Sequence, residues 1–236
     1  MQSMIVGAGN LGVNVAFTLL RRGDSVIVTS RDDKRGKKIE EELSSYGNVH
    51  LIVGDPGTDA GVIEMFEKAT KVAGKIDNLI VTVGGFALDS IKRPTHFSEM
   101  LQSHLVVPIN ILKNFSAYAN TSASAVFVSS IQTLFTSSWN ATSYLLGKSS
   151  LNKLVEIAAA QLLERRIRVN AVAPASIENI FSPGRDWHSA RTLDRMLTPP
   201  EGIAEVIAFL CSPGGECVNG VVIPLDGGDR FGHASD

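Results

Sequence analysis

Three glycines set the first constraint on what this chain can fold into. A short apolar run at residues 4–6 breaks into Gly7-Ala8-Gly9-Asn10-Leu11-Gly12, and a helical pattern follows from 12 to 22. A strand that ends in G-x-G-x-x-G and turns at once into a helix opens a parallel βα unit, because glycine tolerates both the tight turn and the close approach of helix to strand. The remaining residues continue the alternation. Short β-branched runs at 25–29, 49–53, 78–83, 125–129, 168–171 and 220–224 alternate with helical segments at 35–45, 60–73, 97–118, 143–165 and 201–210. Such alternation builds a parallel sheet with helices on both faces. The expected fold is a single α/β domain over residues 1–236, a Rossmann-like doubly wound parallel sheet, and 44% hydrophobic residues suffice to fill its core.

Bulk properties exclude several kinds of partner. A net charge of -2 offers no basic field for a nucleic-acid backbone, so no nucleic acid is expected. Cys211 and Cys217 lie near the C-terminus with no histidine cluster beside them, which argues against a metal site and against a disulfide framework, and for a reducing cytoplasm. The opening MQSMIVGAGN runs straight into strand and turn and leaves no room for a cleavable leader. Residues 114–147 carry no charge, yet Ser, Thr and Asn are spread through them. That composition argues against a membrane span and for a buried strand followed by an active-site loop. Residues 180–200, with Pro183, Gly184, Trp187, His188, Pro199 and Pro200, lack periodicity and read as a mobile flap.

Two constellations carry chemistry. Tyr144 and Lys148 stand four apart on a helix and share a face, so an ammonium can sit beneath a phenol and favour its ionised form. At the other end, Gly7, Gly9, Asn10, Leu11 and Gly12 form the turn at which a helix N-terminus can face a dinucleotide pyrophosphate; the alternative is an ordinary glycine-rich turn. The second strand ends in Thr29-Ser30-Arg31, where NAD binding would call for a carboxylate on the ribose hydroxyls. A small hydroxyl followed by a guanidinium fits a 2′-phosphate, which favours NADP over NAD. The competing reading makes Arg31 a surface arginine paired with Asp32 or Asp33, within a charge-rich RDDKRGKKIEEE that is a solvated helix start.

With VGAGNLG, the strand end VGD around Asp55, IDNLIVTVGG, VFVSS, YLLGK, IRVNAVAPA and NGVVIPLDGG, the chain resembles the short-chain dehydrogenase/reductase family along essentially its whole length. The resemblance implies an NAD(P)-dependent oxidoreductase in which Ser130 holds the substrate oxygen, Tyr144 exchanges the proton, and Lys148 lowers the tyrosine pKa while bonding the nicotinamide ribose. It also implies that Asp55 contacts the adenine, that Ile177 lies beside the nicotinamide carboxamide, and that subunits associate as homodimers or homotetramers. Several positions depart from the family pattern. The Asn-Asn-Ala-Gly stretch reads Val81-Thr82-Val83-Gly84, followed by Gly85, so the backbone at Gly84 can still approach a ribose. His104 stands where an asparagine holds a catalytic water, and Pro108 can kink that helix. Pro174-Ala175 replaces a proline-glycine, and Asn179 a threonine.

His104 has two readings, a proton-relay member that titrates near neutrality or a packed histidine with a satisfied hydrogen bond. Phe86, Leu134, Trp139 and Trp187 can wall an apolar substrate site or simply pack. The helix at 149–163 is apolar on nearly every side, which suggests a second buried face at a subunit interface. The function expected is hydride transfer between NADP and a small-molecule carbonyl or secondary alcohol, with no membrane partner. The alternatives are an NADP-binding regulatory protein without turnover and a reductase of C=C or C=N bonds such as a pteridine.

Overall fold

The computed structural model describes residues 1–135, 138, 140–190 and 197–231. The strands are β1 (Gln2–Val6), β2 (Ser25–Ser30), β3 (Val49–Val53), β4 (Ile76–Val81), β5 (Ala119–Val128), β6 (Arg168–Pro174), β7 (Ser176–Ile177), β8 (Leu197–Thr198) and β9 (Val222–Leu225). The helices are α1 (Asn10–Arg21), α2 (Asp33–Ser44), α3 (Asp59–Ala73), α4 (Phe97–Leu101), α5 (Val107–Tyr118), α6 (Thr142–Gln161), α7 (Trp187–Ala190) and α8 (Pro200–Cys211). Seven strands form one parallel sheet in the order β3-β2-β1-β4-β5-β6-β9, and β7 pairs with β8 in a separate ribbon. The order reverses between β1 and β4, which is where a doubly wound sheet opens a crevice at its carboxyl edge.

Each face of the sheet buries its own core. Phe66, Phe115, Ile111 and Val155, from α3, α5 and α6, cover one face, and Val15, Leu19, Leu43 and Ile207, from α1, α2 and α8, cover the other. The central strands are apolar on both sides, with Met4, Ile5, Leu79, Ile80, Ala125 and Val126 all fully buried, as a parallel sheet between two helical layers requires.

Several boundaries differ from those read in the sequence. β4 stops at Val81 rather than 83: the Thr82 N–H makes the last bond to β1, at the Val6 carbonyl oxygen, and the Thr82 hydroxyl donates to the Gly7 carbonyl oxygen. β5 begins at Ala119, six residues early, through a pairing interrupted by a register shift. The helix expected over 97–118 is one rod with a π-helical turn, Gln102–Val106, inside it. Pro108 has no N–H for the carbonyl of His104, so the ladder widens just where the buried His104 packs against Gly84 and Gly147.

Candidate active site

A cavity of about 700 Å³ opens at the carboxyl edge, and its walls come from the ends of four strands: Gly7 to Gly9, Ser30 to Asp32, Gly54 to Gly57 and Thr82 to Gly85. Its first corner is the glycine turn. Gly7 has φ +121°, and a Cβ on Gly12 would stand 2.0 Å from the Gly7 carbonyl oxygen, so both positions exclude a side chain. Gly9 caps α1 with no side-chain acceptor, no acidic residue follows in the first turn, and a Cβ there would meet nothing within 4 Å. Gly9 borders the cavity and α1 begins there with its positive end unneutralised by any side chain of its own first turn, which fits an anionic diphosphate. Leu11 is buried and can serve only through its backbone. Asn10 is already engaged, its amide donating to the Asn179 side chain.

At the far end of the cavity Arg31 and Arg35 line the same wall, and neither enters an ion pair among the described residues. The carboxylates that compete for Arg31 in the sequence are spent elsewhere: Asp32 caps α2 by accepting from the Arg35 N–H at 3.1 Å, and Asp33 accepts from Lys37 at 2.8 Å. Ser30 turns its hydroxyl to the Asp32 carbonyl at 2.8 Å and so shapes the turn. Asp55 borders the cavity, with one carboxylate oxygen accepting from Gly57 N–H at 3.0 Å. A cavity with a glycine cradle, a helix N-terminus and, among the described residues, two guanidiniums outside any ion pair fits a nicotinamide dinucleotide.

The second constellation lies beyond Gly84. Lys148 is buried and donates to the Val128 carbonyl oxygen, at the end of β5, at 2.7 Å. Burial pulls its ammonium down to about 8. Its Nζ stands 5.9 Å from the centre of the Tyr144 ring. Burial pushes the Tyr144 phenol above its ordinary value, and a hydrogen bond with the Ser130 side chain acts in the opposite direction. Ser130, rather than Ser129, is the serine free to act. Ser129 donates to Asn152 at 2.5 Å, Asn152 donates to Thr133 at 2.8 Å, and Thr133 donates to the Ser130 carbonyl oxygen at 2.7 Å, a chain that holds the Ser130 backbone in place.

His104 is 1% exposed and its ring meets the Tyr144 ring edge-on at 5.5 Å. Its Nε2 bonds to the Gly85 carbonyl oxygen at 2.9 Å. Burial, and then the Lys148 charge, push its pKa down to about 3. Of the two readings of His104, this burial and the bond to Gly85 favour the packed histidine, since a protonated imidazole would be a second buried cation. Gly84 and Gly147 make room for the ring: a Cβ on Gly84 would lie 2.7 Å from His104 Cε1, and one on Gly147 would lie 2.8 Å from the Met100 carbonyl oxygen.

Phe86 packs edge-on against Tyr144 at 4.9 Å between ring centres and is 63% exposed, while Leu134 is half-buried. Trp187 stacks on His188 at 3.8 Å, and Trp139 lies outside the described residues. Ile177 sits on β7, half-buried against the second core. The flap is tied down in its first half: Asn14 donates to the Ile180 carbonyl oxygen at 2.9 Å, Phe181 packs edge-on against Phe17, and Arg185 pairs with Glu201 at 2.9 Å and Glu178 at 2.8 Å. Residues 191–196 of the flap lie outside the described residues. On α6, Leu146 and Ile157 are close to half exposed, so part of the apolar helix faces outward.

Comparison with known proteins bears on this arrangement. A family model described as enoyl-(acyl carrier protein) reductase matches residues 7–229. The 7α-hydroxysteroid dehydrogenase of Escherichia coli is 27% identical, over 96% of this chain and 92% of its own length. The rhamnolipids biosynthesis 3-oxoacyl-[acyl-carrier-protein] reductase of Pseudomonas aeruginosa is 24% identical, over 94% and 93%. Among solved structures, a blue fluorescent protein from a metagenomic library in complex with NADPH superposes with a TM-score of 0.85 at 21% identity, over 96% of each chain, a likeness of fold.

Proposed function

Because this chain belongs to the short-chain dehydrogenase/reductase family, and so is an oxidoreductase that uses a nicotinamide cofactor, we propose that it reduces a carbonyl or oxidises a secondary alcohol with Ser130, Tyr144 and Lys148. The reading rests on one observation above the rest: a half-buried phenol with the buried Lys148 ammonium 5.9 Å from the centre of its ring. NADP, when bound, supplies the hydride or takes it up. Gly7, Gly9, Asn10, Leu11 and Gly12 hold its diphosphate, Arg31 with Arg35 its 2′-phosphate, Asp55 its adenine, and Gly84, Lys148 and Ile177 its nicotinamide end. Ser130 donates to the substrate oxygen and polarises it. Tyr144, whose raised pKa keeps it protonated at neutral pH, gives its proton to that oxygen in reduction, and Lys148 stabilises the phenolate left behind. His104 acts as a neutral hydrogen-bonding partner beside Tyr144.

The relatives named above act on a hydroxysteroid and on a 3-oxoacyl group, and the apolar wall offered by Phe86 and Leu134 suits a modest organic substrate of that kind. Two further elements belong to the proposal. Free cysteines, Cys211 buried and Cys217 exposed, accord with a reducing cytoplasm, and among the described residues no helix is long and apolar enough to cross a membrane. Exposed Val106 and Ile109 beside α5, with Leu146 and Ile157 on α6, accord with a homodimer or homotetramer, and residues 1–236 act as one domain. The deciding experiment is NADPH consumption against a panel of ketones, aldehydes, quinones and pterins. Turnover of a ketone or aldehyde, lost in Tyr144→Phe, supports the reading; NADPH binding without turnover of any member counts against it.

A further inference from the structure

The helix that carries Tyr144 and Lys148 starts without a cap of its own. Ala141 stands at the cap position and has no side-chain acceptor, although the first-turn N–H groups of α6 need one. The acceptor comes from the loop after β4. Asp89 Oδ1 accepts the Ser143 N–H at 2.9 Å, and Asp89 Oδ2 accepts the Ser143 hydroxyl at 2.5 Å and the His96 N–H at 3.1 Å. The backbones are joined as well, with Asp89 N–H donating to Asn140 at 2.9 Å and Thr142 N–H donating to Asp89 at 3.3 Å. Ser143 is fully buried, so its hydroxyl has no recourse to water once this partner is gone. The donors hold the Asp89 carboxyl below its usual range, which keeps it an anion at the positive end of the helix.

We propose that Asp89 is a positioning residue for the reaction, capping α6 from outside so that the phenol of the next residue after Ser143 stands at Ser130. The proposal rests on the reading of Tyr144 as proton donor. Phe86, three residues before Asp89, packs on the Tyr144 ring, so one carboxylate fixes both the ring's neighbour and the helix turn from which the ring projects. The groups facing Tyr144 are Ser130 from the end of β5, neutral His104 from the π-helical turn, Lys148 from α6 itself and Phe86 from the loop; Asp89 acts on it through the helix backbone. Without the cap the first turn of α6 frays and the phenol gains water, which removes the desolvation that raises its pKa.

Asp89→Ala and Asp89→Asn test this, each also in a Tyr144→Phe background. The Tyr144 titration is read as phenolate absorbance, by difference against the matching Tyr144→Phe protein. In Asp89→Ala the phenol should fall back toward its ordinary value near 10, and kcat should drop by roughly ten- to a hundredfold with cofactor affinity kept. In the Tyr144→Phe background the same substitution should cost no further activity. Asp89→Asn retains an acceptor for the Ser143 N–H and should restore most of the rate. An unmoved phenol titration in Asp89→Ala, or an equal loss of rate in both backgrounds, overturns the proposal. If the parent turns over no substrate, the catalytic reading fails on that ground, and the phenol titration still decides whether Asp89 places Tyr144.

Discussion

The Nε2–H of His104 donates to the Gly85 carbonyl oxygen at 2.9 Å, and because a carbonyl can only accept, this bond places a proton on Nε2, which in the neutral ring selects the Nε2–H tautomer. Its other nitrogen, Nδ1, is left as an acceptor on the side of Gly84, where Lys148 Nζ also stands nearby. A neutral histidine between a cation and a phenol can orient hydrogen bonds, but it cannot carry charge without paying for a second desolvated cation.

With its pKa lowered to about 3, His104 contributes no ionisation to the pH-rate profile between pH 5 and 8. His104→Asn should leave the shape of that profile unchanged, and an inflection near 6.5 present in the parent and absent from the variant would show that His104 titrates there. Stability carries the opposite signature. The folded protein resists protonating His104, so its contribution is present above the ordinary value of 6.5 and is lost as pH falls from there toward 3. Thermal melts between pH 7 and pH 4 should show the parent losing stability faster than His104→Asn, by on the order of a few kcal/mol over the window. Parallel slopes would refute the shift.

Lys148 has the same sign of shift and a different window. Its pKa falls from 10.5 to about 8, so the buried ammonium weighs on stability throughout the range below 8, and that weight is lifted as pH rises from 8 to 10.5. Lys148→Met replaces the ammonium with an apolar chain, at the cost of the bond to the Val128 carbonyl oxygen. Desolvating the charge costs more than that bond returns, so the variant should melt about 2–4 °C higher at pH 7, the shift that ~1 kcal/mol produces in a chain of this size, with the gap narrowing by pH 10. Turnover should fall together with nicotinamide cofactor affinity. A lower melting temperature at pH 7 would mean that the ammonium is well solvated or otherwise compensated.

Tyr144→Phe keeps the ring packed against Phe86 and His104 and removes only the ionisable hydroxyl. Turnover should drop by roughly 10² or more, the scale of general acid-base catalysis, while cofactor titration and melting temperature stay near those of the parent. Equal rates in the two proteins would remove Tyr144 from the chemistry.

Much of this arrangement was legible in the order of residues because the physics behind it is local. The alternation of β-branched runs with helical patterns reports burial on two faces, and Gly7 to Gly12 report a turn that excludes side chains, so the seven-stranded sheet and the glycine corner follow directly. Tyr144 and Lys148 share a helical face by spacing alone. What the sequence concealed depends on contacts between distant segments. Asp89 looks like any loop aspartate until its partner Ser143 is placed beside it, and Gly147 looks like a poor choice inside a helix until the Met100 carbonyl presses on it. The direction of the Tyr144 shift and the choice between the two readings of His104 are hidden for the same reason: spacing reports which charges are near, whereas desolvation depends on everything packed around the group. Arg35 was passed over as part of a solvated helix start, although its place one helical turn after Arg31 was a usable signal.

Cofactor choice turns on those two arginines. Arg31 and Arg35 border the same wall of the cavity, Asp32 and Asp33 are committed to the α2 cap and to Lys37, and neither arginine pairs with a carboxylate among the described residues. Two guanidiniums without carboxylates suit a phosphate dianion and offer nothing to the ribose hydroxyls that NAD presents in its place. NADP should therefore bind more tightly than NAD. Losing one charge-assisted contact lowers affinity by roughly ten- to a hundredfold, so Arg31→Ala and Arg35→Ala should each weaken NADP on that scale and leave NAD nearly unchanged. Both cofactors titrated by nicotinamide fluorescence decide it. The salt dependence adds a second check, because the preference for NADP should shrink as ionic strength rises and should shrink least in the double variant, which has little left to screen. A parent protein that prefers NAD would mean that both guanidiniums point to solvent when cofactor binds.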